Sequence, residues 1–198
     1  MGWNTIEKKE KEIVFVISVP GFIITTQREK IVKNFQYKSF HPGNLLRQYV
    51  KDKKDGYEEI ENLMKEGEVI SSSIVMKVLK EYIINSLNTK ILVDGFPRKQ
   101  EHIDIWEKEM KDKVVVKGVL YIEISNEEMI KRLLGREQGI FDDFEEIVKK
   151  RIETFEKETK PIVEYFEKQG KLIKIDGMKT EDEISKEIEE KFKEKGLD

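Results

Sequence analysis

The side chains able to do chemistry in these 198 residues are few in kind. There is no cysteine, so a thiolate nucleophile, a thiolate metal site and a disulfide are all excluded. His41 and His102 are the two histidines, too few for a histidine-rich metal centre. Chemistry must therefore rest on arginine, lysine, carboxylate and backbone groups. Charged residues make up 39% of the chain, yet the net charge is −3. That near balance argues against a dedicated polyanion binder and leaves room for a local basic cleft. No strong nucleic-acid signal is present.

The elements that would position such residues can be read from the apolar pattern. Residues 12–19 (E-I-V-F-V-I-S-V) form a continuous apolar run, expected of a strand buried on both faces. Residues 37–40, 90–94, 116–124 and 171–176 are the other strand candidates. Segments of helical length and period separate them, with Ile147, Val148, Ile152 and Phe155 marking one apolar face. Ser125 with Glu128 and Thr180 with Glu183 match the capping box, so helices are expected to start there. Strands that alternate with helices imply βαβ crossovers, a parallel sheet and an α/β class. No linker, internal repeat or low-complexity tract interrupts the chain, so residues 1–198 are expected to form one domain. Ligands of such sheets sit beyond the carboxyl ends of the strands. The windows that matter are then residues 18–27, 40–47, 94–98 and 135–143.

Read in order, these windows resemble the adenylate kinase family, and most its short UMP-CMP kinase branch. Asp94-Gly95-Phe96-Pro97-Arg98 matches the D-G-F-P-R after the family's third strand. Pro42-Gly43-Asn44-Leu45-Leu46-Arg47 is similar to its A-G-D-L-L-R. Arg132-Leu133-Leu134, Asp142-Asp143, Lys150-Arg151, Thr159-Lys160-Pro161-Ile162 and Ile173-Lys174-Ile175-Asp176 follow near the family's spacing. The resemblance runs from about Glu12 to Phe192. It implies a P-loop NTPase-like three-layer α/β/α fold with a five-stranded parallel sheet. It also implies a helical insert for the monophosphate over about residues 38–70 and a short lid over about residues 135–143.

The first window departs from the family. There a G-G-P-G-x-G-K-G-T-Q loop curls backbone N–H groups around phosphates, and its lysine neutralises the β and γ phosphates. Here the loop reads Ser18-Val19-Pro20-Gly21-Phe22-Ile23-Ile24-Thr25-Thr26-Gln27, and Pro20, Gly21, Thr26 and Gln27 fit. Ile24 stands at the lysine position, Ile23 replaces a glycine, and Ser18 and Val19 replace the first two. β-Branched residues are poor hosts for positive φ and hinder close approach of the backbone to a ligand. Losing one preorganised electrostatic contact to a transition state costs ~3 kcal/mol. The expectation is that Phe22, Ile23 and Ile24 pack as core at the start of the first helix and plug the loop. A rescue would need Lys30 or another lysine to swing in.

The acceptor side follows the family more closely. By resemblance, Arg47 and Arg98 would grip the acceptor's phosphate through bidentate guanidinium contacts. Gly95 belongs to the same monophosphate-binding set, and Gln100 is similar to the glutamine that reads the base. His41, Asn44 and Lys99 are departures there, and His41 could equally be an ordinary partly buried histidine. Asp94 would help order Mg²⁺ and its waters, or else hold the strand end by local bonds. Asp94, Arg136 and Arg151 are the family-matched catalytic candidates. In the lid, Arg132, Arg136, Asp142 and Asp143 match, while Ile140 replaces an arginine and the window is two residues shorter.

The expectation drawn from these residues is a nucleoside monophosphate kinase-like protein with a degenerate phosphate loop and impaired catalysis. It would act as a nucleotide-binding acceptor-site module or a scaffold in a larger assembly, holding AMP, CMP or UMP and requiring no cofactor. The alternative is an active ATP- and Mg²⁺-dependent UMP/CMP or adenylate kinase. No resident metal site is expected. The first residues are polar and no apolar run approaches the ~18 residues of a membrane span, so a cytoplasmic location is expected.

Overall fold

The computed structural model describes residues 10–135 and 143–198. Five strands form one sheet: β1 (Lys11–Ser18), β2 (Lys38–Phe40), β3 (Lys90–Asp94), β4 (Val114–Glu123) and β5 (Leu172–Asp176). All pairings are parallel and the order is β2-β3-β1-β4-β5. The five expected strands are all present, with ends shifted by a residue or two.

Parallel strands require crossovers, and helices supply them. The helices are α1 (Thr25–Phe35), α2 (Pro42–Lys51), α3 (Tyr57–Glu66), α4 (Ser72–Asn85), α5 (Gln100–Glu109), α6 (Asn126–Gly135), α7 (Asp143–Thr154), α8 (Lys160–Lys168) and α9 (Glu181–Glu194). A single π-helical turn, Phe155–Thr159, joins α7 to α8.

The period of two along each strand sorts side chains to opposite faces. Ile13, Phe15 and Ile17 of β1 join Ile91 and Val93 of β3 in one core, with Trp106 of α5 and Phe166 of α8. Val14 and Val16 join Leu92, Leu120 and Ile175 in the other, under Ile31 of α1 and Ile188 and Phe192 of α9. Residues 13–17 of β1 are buried throughout. That double burial explains the unbroken apolar run in the sequence.

Two helix starts differ in detail. Thr180 and Glu183 exchange both bonds of a capping box. Ser125 Oγ accepts from the Glu128 N–H at 3.2 Å, but the Glu128 carboxylate pairs with Arg132 at 2.6 Å and does not reach back. The expected apolar face over residues 147–155 is narrower than the pattern suggested. Val148 and Phe155 are buried, whereas Ile147 is 47% exposed.

The winding reverses at β1. Its following helix leads towards β2, while the helices after β4 lead to β5 on the other side. A crevice at the carboxyl end of the sheet belongs at such a switch.

Candidate functional site

The segment after β1 leaves the carboxyl end of the sheet beside β4. Val19 is buried, its N–H donating to Ile122 O at 3.4 Å. Pro20 and Gly21 make a turn closed by the Phe22 N–H on Val19 O at 3.2 Å. Gly21 has φ +88°, and a Cβ there would stand 3.1 Å from Met129 O of α6. Glycine is needed for both reasons. The Arg132 guanidinium lies 5.8 Å from the Phe22 ring centroid, a cation–π contact between α6 and this loop.

The expectation that Phe22, Ile23 and Ile24 all pack as core needs correcting. Phe22 and Ile24 lean partly buried against the α1/α9 core. Ile23 is 60% exposed and does not pack as core. Ile24 is the N-cap of α1 and offers no side-chain cap. The first-turn amides of α1, from Thr25 onwards, therefore have no capping side chain. Lys30 is not poised for a rescue either. Its Nζ donates to Ser185 Oγ at 2.8 Å and lies 3.6 Å from Asp182, on the α9 side.

The carboxyl end of β3 supplies the charged centre. Asp94 is buried, and Arg28 of α1 pairs with its Oδ2 through Nη1 at 2.8 Å. Arg28 is a site residue that the sequence reading missed. It lies just past the loop window, and its reach to Asp94 is a tertiary fact.

Gly95 turns the chain at φ +75°, and Phe96–Pro97 is a cis bond. A Cβ on Gly95 would stand 2.8 Å from Arg98 Nη2 and 3.3 Å from His41 Nε2, so glycine lets both side chains close on this turn. Arg98 Nε donates to Gly95 O at 2.8 Å. The Arg98 N–H donates to His102 Nδ1 at 3.1 Å, and Thr159 Oγ1 of the π-helical turn donates to Arg98 O at 2.7 Å. The Arg98 backbone is thus anchored while its side chain stays exposed.

Arg47 lies on α2, where Nη2 donates to Asn44 Oδ1 at 2.5 Å. Its Nη1 is 3.8 Å from where a Gly43 Cβ would sit, beside the His41 ring. His41 stands among these groups. Burial holds its pKa below the ordinary value, Asp94 opposes that, and the charges of Arg98, Arg28 and Arg47 push the same way as burial. Its buried Nδ1 meets no hydrogen-bond partner among the described residues. The structure therefore brings Arg28, Arg47, Arg98, Asp94 and His41 together at the carboxyl end of β3. Three guanidinia against one carboxylate suit a multiply charged oxyanion.

Other expected site residues lie further out. Gln100 is exposed at the start of α5 and donates to Asp104 Oδ1 at 2.9 Å. Lys99 pairs with Glu101 at 2.9 Å. Arg132 is tied to Glu128, and Arg151 is exposed on α7. Arg136, Ile140 and Asp142 lie outside the described residues, and Asp143 opens α7. Among the described residues no group of three or more His, Asp or Glu could hold a metal ion, and no helix is long and apolar enough to cross a membrane.

Comparison with known proteins adds independent findings. A family model described as adenylate kinase matches residues 16–171. The chain is 35% identical to "UMP-CMP kinase 3" of Oryza sativa subsp. japonica over 189 residues, covering 96% of this chain and 89% of the relative. It is 38% identical over 184 residues to "UMP-CMP kinase 1" of the same plant, covering 93% of this chain and 75% of the relative. It is 37% identical to the "UMP-CMP kinase" of Homo sapiens over 192 residues, covering 93% of this chain and 98% of the relative.

Proposed function

Because the chain belongs to the adenylate kinase family, we propose that it transfers the γ-phosphoryl group of ATP to a pyrimidine nucleoside monophosphate, UMP or CMP. The observation that carries this reading is the convergence of Arg47, Arg98 and Asp94 on His41 at the carboxyl end of β3. The pyrimidine choice follows the names of the similar proteins.

In this reading Arg47 and Arg98 take the acceptor's phosphate by charge-assisted bonds. His102 and Thr159 keep Arg98 in place by holding its peptide N–H and C=O. Residues 38–70 act as the acceptor's insert, and the expected lid window falls on residues outside those described. A nucleotide-borne Mg²⁺ needs only one or two protein carboxylates, and buried Asp94 fits that demand. When bound, the ion would neutralise phosphate charge. Asp94 would orient its waters while staying paired to Arg28.

A second reading is favoured by one observation. Ile23 and Ile24 leave the segment before α1 without a lysine or a run of glycines. A module that binds the monophosphate and transfers nothing, or transfers slowly, would show the same cluster.

Incubation with ATP–Mg²⁺ and CMP, UMP or AMP, with nucleoside diphosphates separated and counted, tests the proposal. Equal amounts of ADP and CDP or UDP are expected, with AMP a poorer acceptor. No diphosphate from any of the three would reject transfer in favour of the second reading.

A further inference from the structure

Among the described residues around His41 and Asp94, Arg28 is a cation that no expected motif contains, and its place on α1 bears on the missing lysine. The Arg28 N–H donates to Ile24 O at 2.8 Å, so Arg28 sits one helical turn after Ile24, on the same face. A side chain on a helix slants towards the N-terminus and covers the turn before its own Cα. The Arg28 side chain therefore lies over the turn that begins at Ile24. Its guanidinium ends on Asp94 at the carboxyl end of β3, beside His41 and Arg98.

We infer that Arg28 is the phosphate-contacting cation of the donor side in this chain, taking over from one turn along the helix the charge that position 24 lacks. The inference rests on the kinase-family reading of this cluster. It goes beyond that reading by assigning a residue and a ligand group, the transferred phosphoryl's oxygens.

Three features make the assignment physical. Nη1 is engaged by Asp94, and a guanidinium has five N–H donors, so the fork keeps further donors for a phosphate. The side chain is 23% exposed, so those donors are within reach of a ligand, while Asp94 at 6% is a firm anchor. An anchored guanidinium needs little reorganisation when charge develops in front of it. The first-turn amides of α1 point the same way, with no acidic residue in that turn to compete.

The test uses the full chain and the variants R28Q and R28K, measured in two ways. Coupled turnover with ATP–Mg²⁺ and CMP gives kcat and KM. Calorimetric titration compares ATP with adenosine, both without acceptor. R28Q is expected to lower kcat about 10²- to 10³-fold. It should also shrink the preference for ATP over adenosine about 10-fold or more, with R28K recovering part of each. Millimolar ethylguanidinium should restore some R28Q turnover by occupying the vacated place on Asp94.

A residue that merely holds Asp94 in place would behave differently. R28Q would then lower the melting temperature but keep the ATP-to-adenosine preference, and that result overturns the inference. If the wild-type chain turns over nothing, the kinase reading fails while the titration still decides Arg28. Loss of the triphosphate preference in R28Q supports the assignment, and an unchanged preference rejects it.

Discussion

Arg98 is held through its peptide N–H by His102, through its carbonyl by Thr159 and through Nε by Gly95 O. The motif around it was legible in the sequence because the residues are contiguous. The two residues that fix it from α5 and the π-helical turn were not legible as its partners, since nothing local links positions 98 and 159. His102 is buried against Phe96, rings 4.9 Å apart and nearly parallel. Burial pushes its pKa down from 6.5 to about 4, helped by the positive charge of Lys99. Between those values the unfolded chain takes up a proton that the folded chain refuses, so stability is full above about pH 6.5 and falls as pH drops towards 4. The shift corresponds to about 3 kcal/mol. Urea unfolding at pH 7, 6 and 5 should show this slope in the wild type and a shallower one in H102N. Asparagine can still accept from the Arg98 N–H but does not titrate. Equal slopes would mean that His102 is not the group responsible.

At the scale of elements, the joint between β1 and α1 decides how the phosphates are met. The sequence pattern located this joint and showed its missing glycines and lysine. It did not show which way three apolar side chains would turn. Ile23 faces outwards because the turn at Gly21 is fixed by its approach to α6, and the helix that starts after Ile24 sets the remaining directions. Arg28 escaped notice for a related reason. Its function depends on a strand end 66 positions away, and a lone arginine on a helix reads as a solvated charge. The double variant I23G/I24K should free the backbone before α1 and add a second cation beside Arg28. Turnover with ATP is expected to rise about 10- to 100-fold, less than the full worth of a missing contact because Arg28 already supplies part of it. Steady-state kinetics at saturating acceptor would measure the gain. An unchanged or lower kcat would show that the isoleucines do not limit transfer.

The whole molecule is the scale at which the sequence was most informative. The unbroken apolar runs of β1, β3 and β4 and the alternation with helices follow from the need to bury both faces of a parallel sheet. A pattern repeated over five strands leaves few topologies, whereas a site depends on single side chains that converge from α1, α2 and β3. The fold's contribution to function is the switch at β1, beside which Arg28 pairs with Asp94 and Arg28, Arg47 and Arg98 gather around His41. The claim on which the account depends is that this cluster recognises a nucleotide through its phosphate. Calorimetric titration of the wild-type chain with CMP and with cytidine tests it most directly. Each charge-assisted contact contributes about 1.5–3 kcal/mol, so with both Arg47 and Arg98 engaged CMP should bind about 10²-fold or more tightly than cytidine. Equal affinities for the two, or no binding of CMP at millimolar concentration, would contradict the account.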